Sequence, residues 1–230
     1  MWHGAWAWDL VTTSLERAGF PVRAVTLPGI GRAPGDTTFA GHCSFVATRV
    51  DEVPGPVVLV GHSYAGALLS EVGDRDNVLG LVFLSAFALD VGETVGGVND
   101  GTGSQSGDDA LNHQGELLLI DADTARRSFY HDVTPRLADL AIARLTPEHV
   151  STRITPVSRT SWRHRPSHYI ATTEDRAITV DVQRRLAARL DSIVELSSSH
   201  SPMLSIPGAL SEAIAEFASS VMDPHADAHT

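Results

Sequence analysis

One serine of this chain stands where a strand-like run gives way to a helical pattern. The apolar residues Val57 to Val60 lead into Gly61-His62-Ser63-Tyr64-Ala65-Gly66, and a helix-forming run follows. A turn this tight strains the backbone of its central serine, and small flanking residues remove the Cβ atoms that would clash. The spacing is G-x-S-x-A-G, so alanine occupies the usual second glycine position. The pattern predicts that Ser63 is a nucleophile.

Three carboxylates are candidates for the acid of such a site. A serine hydroxyl needs a histidine to take its proton, and that imidazole needs a carboxylate to hold its tautomer. Asp175 is favoured because it follows the predicted strand 168–172, at the carboxyl end where open α/β sheets bind ligands. Its neighbour Glu174, and Asp90 after the predicted strand 81–88, remain alternatives because all three fit the order serine, acid, histidine.

The base is predicted from its position among eleven histidines. His200 alone follows a late strand-like run, Ile193 to Leu196, and precedes the final amphipathic helix, which predicts a loop above the sheet. We interpret four others as surface or satisfied core residues, namely His42, His149, His225 and His229. The two candidates for lid contacts are His113 and His131.

The oxyanion formed when Ser63 attacks a carbonyl needs about two preorganised N–H donors, each worth roughly 3 kcal/mol. One is predicted to be the backbone N–H of Tyr64, directly after the nucleophile. No metal site and no cofactor is predicted, since the H-E-x-x-H spacing of zinc enzymes is absent. The single cysteine, Cys43, is interpreted as a small buried apolar side chain.

Alternating strand-like and helical runs predict an α/β fold with a mostly parallel sheet covered by helices on both faces. The predicted strands are 21–27, 57–62, 78–88, 168–172 and 192–197, and the predicted flanking helices are 9–18, 179–190 and 209–222. A polar loop at 92–109 and short helices at 122–129, 135–144 and 147–151 predict a lid over about 90–165. We therefore expect one domain over 1–222, with this lid insertion, and a disordered tail at 223–230.

The charge and composition exclude several classes of partner. A formal charge of −11 opposes nucleic acids and anionic lipids, which require a basic face. All 17 basic residues are arginine, which excludes lysine Schiff-base chemistry. No apolar run approaches the ~18 residues of a membrane span, and the start lacks signal-peptide features, so a cytoplasmic protein is expected. The expected partner is a small-molecule ester, and the oligomeric state is left open.

With Ser63, Asp175 and His200 assigned, the chain resembles the plant and bacterial esterase and hydroxynitrile lyase branch of the α/β-hydrolases, which includes methyl-salicylate esterases. The resemblance extends over nearly the whole chain. The segments that carry it are 3–8 (HGAWAW), 58–66 (VLVGHSYAG), 82–87 (VFLSAF), 173–178 (TEDRAI) and 199–203 (SHSPM).

This resemblance implies hydrolysis of a small to medium carboxylic ester through a Ser63 acyl-enzyme. The similar lyases place a lysine after the histidine, where this chain has Ser201, so hydrolysis is favoured. Family members begin with an apolar strand before the His-Gly-x-Trp segment. By that comparison the second oxyanion N–H falls at Met1, and we expect the natural start to lie about ten or more residues upstream.

Two other functions remain open at this point. One is cleavage of a lactone or a carbon–carbon bond on the same triad, because one fold supports many reactions. The other is a ligand-binding protein of the same fold that has lost efficient turnover.

Overall fold

The computed structural model of the chain describes residues 1–100, 102–105 and 111–222. The described strands, in chain order, are Val57–His62 (β1), Val78–Leu84 (β2), Asn112–Gln114 (β3), Leu117–Leu119 (β4), Glu148–His149 (β5), Ser167–Thr172 (β6) and Ser192–Leu196 (β7). The helices are Asp9–Arg17 (α1), Phe39–Asp51 (α2), Ala65–Val72 (α3), Val95–Asn99 (α4), Ala122–Phe129 (α5), Pro135–Ile142 (α6), Ser151–Ile154 (α7), Val180–Ala187 (α8), Pro202–Ser205 (α9) and Pro207–Met222 (α10).

The main sheet contains four parallel strands in the order β1-β2-β6-β7. Side chains on β2 alternate between its two faces, as the pleat requires. Leu81 and Phe83 enter a core shared with α2, α3 and α8, whereas Val82 and Leu84 enter a second core shared with α1 and α10. All four side chains are fully buried. This confirms the predicted parallel sheet with helices on both faces, and it explains the uninterrupted apolar run of β2.

The prediction of a strand at residues 21–27 was wrong. This segment carries no strand pairing, although Val22 and Leu27 still pack against the cores. A strand requires a neighbour that completes its hydrogen-bond ladder. Within the described residues, β2 is the one strand paired with β1, and the segment at 21–27 does not pair with the open edge of β1, so it completes no ladder.

One strand boundary and one helix also differ from the prediction. The strand predicted at 78–88 ends at Leu84 because Ser85 adopts a φ of +42° and turns the chain away from the sheet. The helix α2 was not predicted; the side chain of Thr38 caps it by accepting a hydrogen bond from the Gly41 N–H at 3.1 Å.

The inserted segment between β2 and β6 contains more regular structure than its composition predicts. The helices predicted at 122–129 and 135–144 are confirmed as α5 and α6. The helix predicted at 147–151 was wrong, because Glu148 and His149 pair with β4 and helix α7 begins only at Ser151. Within the predicted loop 92–109, Thr94 caps the short helix α4; residues 101 and 106–109 of that loop lie outside the described residues, as does the predicted tail 223–230. None of the described helices has the length and apolarity to cross a membrane.

Candidate active site

Ser63 lies in the turn that joins β1 to α3, as predicted. Its φ of +57° is in the left-handed region, which a non-glycine residue adopts only at an energetic cost. The surrounding backbone holds this conformation: the Ser63 N–H donates to the Leu84 carbonyl at 3.1 Å, and the Ser63 carbonyl accepts from Phe87 N–H at 3.2 Å. The strained turn is therefore tied to the segment that follows β2.

The small residues around this turn are required by close packing. A Cβ atom on Gly61 would lie 2.8 Å from the side chain of Leu69, and one on Gly66 would lie 2.7 Å from the backbone nitrogen of Phe87. Such distances are too short for real Cβ contacts, so both positions require glycine. Ala65, which stands at the usual second glycine position, fits within helix α3.

Asp175 and His200 form a buried hydrogen-bonded pair. The Nδ1–H of His200 donates to Asp175 Oδ2 at 2.7 Å, and both side chains are almost completely removed from solvent. The loop after β6 carries the acid and the loop after β7 carries the base, so adjacent parallel strands bring them to the same edge of the sheet. A charge-assisted hydrogen bond of this length fixes the imidazole orientation and leaves Nε2 as its free nitrogen.

Four further hydrogen bonds hold the Asp175 carboxylate. Its Oδ1 accepts from the backbone N–H groups of Ala177 at 2.7 Å and Ile178 at 2.9 Å. Its Oδ2 also accepts from Gln183 Nε2 at 3.0 Å and from the Thr172 hydroxyl at 3.2 Å. Sequence reasoning missed Gln183 and Thr172, since polar residues on a helix face and at a strand end carry no distinguishing local signal.

The two alternative acids are engaged elsewhere. The side chain of Glu174 accepts a hydrogen bond from the Ser197 hydroxyl at the protein surface. Asp90 pairs with Arg163 at 2.5 Å, also in an exposed position. Of the three predicted candidates, Asp175 is the one whose carboxylate contacts His200.

The loop that carries His200 is fastened to the inserted segment by Asp132. Its carboxylate accepts from the Ser199 N–H at 2.8 Å and the Ser198 hydroxyl at 3.2 Å. Burial acts to raise the pKa of Asp132, but these hydrogen bonds outweigh it and hold the pKa below its usual value. Asp132 is therefore suited to remain ionised, and sequence reasoning, which treated its turn only as part of the lid, missed this contact.

His62 contacts the base directly. Its Nε2 lies 2.7 Å from the His200 carbonyl, and because a carbonyl can only accept, this nitrogen must carry the proton. The two rings are 4.5 Å apart. Burial, reinforced by the neighbouring rings of His200 and His3, holds the pKa of His62 well below its usual value. A neutral His62 thus supports both the backbone and the ring of His200.

Ser63 and His200 face one narrow cavity, which leaves room for little more than a water molecule. The residues lining it are Met1, Trp2, Ser63, Phe87, Val95, Asn99, Phe129, Arg153, Ala177, Ile178 and His200. No hydrogen bond joins the Ser63 hydroxyl to His200 Nε2 among the described residues. Hydrogen bonds of this kind commonly tighten only when the reacting group is bound.

The predicted oxyanion donors differ in their surroundings. No acceptor among the described residues engages the Tyr64 N–H, while the buried Tyr64 hydroxyl lies 3.0 Å from Nδ1 of His42. Met1 lines the cavity, and burial lowers the pKa of its terminal amine against the opposing influence of the Glu148 carboxylate. The adjacent Trp2 N–H already donates to the Glu148 carboxylate at 3.0 Å, so it is not available to an oxyanion. Tyr64 and Met1 therefore remain the two predicted donors.

The other predicted histidines lie away from the cavity. His42 is a satisfied core residue, since its second nitrogen lies 3.0 Å from the Pro28 carbonyl. His131 donates to the Glu174 carbonyl at 2.9 Å, and His113 is exposed on β3. His149 is partly buried beside Ser151, whereas His225 and His229 lie outside the described residues.

Neither a metal-binding cluster nor a reactive thiol lies among the described residues. The described part of the chain contains no group of three or more histidine, cysteine, aspartate or glutamate side chains placed to hold a metal ion. Burial raises the pKa of the Cys43 thiol to about 12, so the reactive thiolate is suppressed.

Comparison with known proteins gives a consistent assignment. The sequence profile of the alpha/beta hydrolase family matches residues 1–213. The chain is 30% identical over 213 residues to an alpha/beta hydrolase of Aspergillus novofumigatus, with 86% of this chain and 85% of that protein covered. It is 29% identical to a pyrethroid hydrolase of Sphingobium wenxiniae, with 94% and 85% covered. The crystal structure of a pyrethroid hydrolase from Sphingobium faniae superposes with a TM-score of 0.83 at 25% identity, covering 95% of this chain and 94% of that one. The chain thus belongs to the alpha/beta hydrolase family.

Proposed function

We propose that this chain is a serine esterase that hydrolyses a small to medium carboxylic ester, with Ser63 as nucleophile, His200 as base and Asp175 as acid. The observation that carries the proposal is the buried 2.7 Å contact between Asp175 and His200, beside the cavity that the strained Ser63 also lines. A histidine held by a carboxylate near an activated serine is the arrangement that acyl transfer requires.

In the first half of the reaction, the Ser63 oxygen attacks the ester carbonyl carbon while its proton passes to His200 Nε2. Asp175 stabilises the imidazolium through the Nδ1–H bond. The Tyr64 N–H, and a second donor at Met1, stabilise the negative charge on the former carbonyl oxygen. The tetrahedral intermediate then collapses, the carbon–oxygen bond of the ester breaks, and His200 returns the proton to the departing alcohol.

In the second half, water hydrolyses the acyl-enzyme. His200 takes a proton from the water as its oxygen attacks the acyl carbon, and the proton is returned to Ser63 when the carboxylic acid leaves. The hydrogen bonds from the Ala177 and Ile178 N–H groups keep the Asp175 carboxylate oriented through both halves. No external cofactor enters either step.

Two further observations favour ester hydrolysis. Ser201 follows the base at a position where the resembling lyases carry a lysine, and the whole chain contains no lysine to hold a cyanide leaving group. The similar proteins also include a pyrethroid hydrolase of Sphingobium wenxiniae and methylesterase 1 of Arabidopsis thaliana, which is 27% identical over 238 residues. These names describe those proteins, and they support an ester as the substrate class here.

Covalent labelling with a fluorophosphonate tests the nucleophile. We expect the wild-type chain to be labelled at Ser63 and the Ser63→Ala variant to remain unlabelled. A folded wild-type chain that resists labelling would contradict the proposal and favour the ligand-binding alternative.

A substrate screen tests the reaction class. We expect turnover of p-nitrophenyl and aryl-methyl esters, with a limit set by acyl size. Turnover confined to lactones, or to carbon–carbon cleavage of a diketone, would instead favour the alternative reaction on the same three residues.

A further inference from the structure

The wall of the cavity contributed by the inserted segment carries an unusual polar group. Asn99 is the last residue of helix α4, lines the same cavity as Ser63 and His200, and is only 2% exposed. Its Oδ1 has no hydrogen-bond partner among the described residues. A buried amide oxygen without a donor is costly, and in native proteins it calls for a specific explanation.

The hydrogen bonds of Asn99 establish which way its amide faces. The Nδ2 group donates to the Ala177 carbonyl at 3.2 Å and to the Ser104 hydroxyl at 3.0 Å. A carbonyl only accepts, so the amide nitrogen must face Ala177, and the oxygen cannot be exchanged with it by rotating the amide. Oδ1 is therefore the polar atom of this side chain that lacks a partner, and it is buried in the cavity wall.

Arg153, the cationic residue in the same wall, does not form a hydrogen bond with Asn99 Oδ1 among the described residues. It is 3% exposed and forms an ion pair with Asp100. Asn99 Oδ1 is therefore an uncharged acceptor beside the ion pair of Arg153 and Asp100.

We infer that Asn99 Oδ1 accepts a hydrogen bond from a hydroxyl group of the substrate, so the preferred substrates are hydroxylated esters. This inference rests on the proposed esterase function. A hydroxyl is smaller than an amide donor and therefore suits this narrow cavity better. Asn99 and Ser63 line the same cavity, so an ester that widens it to reach Ser63 meets the wall that carries Asn99.

The test compares kcat/KM for two matched pairs of esters. Methyl mandelate against methyl phenylacetate places the hydroxyl on the acyl part, and 2-hydroxyethyl acetate against propyl acetate places it on the alcohol part. A site that leaves a buried acceptor unpaired with the deoxy ester should prefer the hydroxylated member of one pair by about tenfold or more. Preferences within about twofold in both pairs would overturn the inference.

Two variants separate the amide oxygen from its anchors. Asn99→Leu removes Oδ1 and should bring the preference close to one, whereas Ser104→Ala removes a partner of Nδ2 and should leave the preference unchanged. An Asn99→Leu protein that keeps the wild-type preference would overturn the inference. If that variant does not fold, the wild-type preference alone still decides.

The outcomes also distinguish this inference from the proposed function. Hydrolysis of both members of each pair at equal rates would overturn the role of Asn99 and leave the esterase intact. Failure to hydrolyse any of the four esters, together with failure to label Ser63, would overturn the esterase and the inference that rests on it.

Discussion

Replacing Asp175 with asparagine tests the proposed triad most directly, because the structure predicts how the new amide will orient. Asp175 Oδ1 accepts two backbone hydrogen bonds, from Ala177 and Ile178. An amide with its NH₂ group at that site would lose both bonds, at about 1–3 kcal/mol each. Its N–H groups would also face the two backbone N–H groups, which are donors as well. The asparagine oxygen should therefore stay with the backbone, which directs its NH₂ group toward His200.

That orientation places one donor against two others. At the Oδ2 site of Asp175, the amide nitrogen meets the N–H groups of His200 Nδ1 and Gln183 Nε2, whereas the Thr172 hydroxyl can rotate to accept from it. His200 can relieve the conflict by moving its proton to Nε2, but this tautomer cannot take the proton of Ser63. Trapping the base in the wrong tautomer is worth about 10⁴-fold in kcat, or about 5.4 kcal/mol of barrier.

The assay is steady-state hydrolysis of p-nitrophenyl acetate by Asp175→Asn, with thermal unfolding measured on the same samples. Asp90→Asn is the matched control, because Asp90 pairs with Arg163 at the surface and should affect kcat by less than about twofold. An Asp175→Asn protein that is folded and retains more than about a tenth of the wild-type kcat would refute the reasoning. A large loss in Asp90→Asn instead would move the acid to that residue.

Three further predictions concern the nucleophile, the acid stability and the turn. Ser63→Ala and His200→Ala should each lower kcat by about 10³-fold or more, and combining them should add little because the residues act together; additive losses would contradict the assignment. Burial is the main cause that lowers the pKa of His3 to about 3, so its neutral form stabilises the fold above pH ~6.5. By pH 5 the free energy of unfolding should fall by about 2 kcal/mol. Urea titrations at several pH values should show that this free energy depends less on pH in His3→Gln than in the wild type; an identical pH dependence would contradict the prediction. Gly66→Ala should lower the free energy of unfolding by about 1–3 kcal/mol, since its Cβ would lie 2.7 Å from Phe87 N; an unchanged denaturation midpoint would be inconsistent with that packing.

Local pattern predicted the elements whose signals lie within a few residues. The apolar run and turn at Val57–His62 predicted β1 with its observed bounds, and α5 at Ala122–Phe129 was predicted equally well. The same pattern located Ser63 between strand and helix. These features follow from nearest-neighbour preferences: side-chain periodicity, backbone strain and the need for small residues beside a tight turn.

Contacts between distant residues decided the rest. Glu174 and Asp175 are adjacent in sequence, yet one faces the surface and the other meets a histidine 25 residues away. Asp132 meets Ser199 across 67 residues, and the contact between Asn99 and Ala177 spans 78. The run at 21–27 is as strand-like as β1, but a strand forms only where another strand completes its ladder. The sequence alone therefore predicted most of the local elements and the candidate nucleophile, whereas tertiary structure distinguished the candidate acid, its supports and the polar wall of the cavity, because hydrogen bonds and burial depend on which distant residues meet.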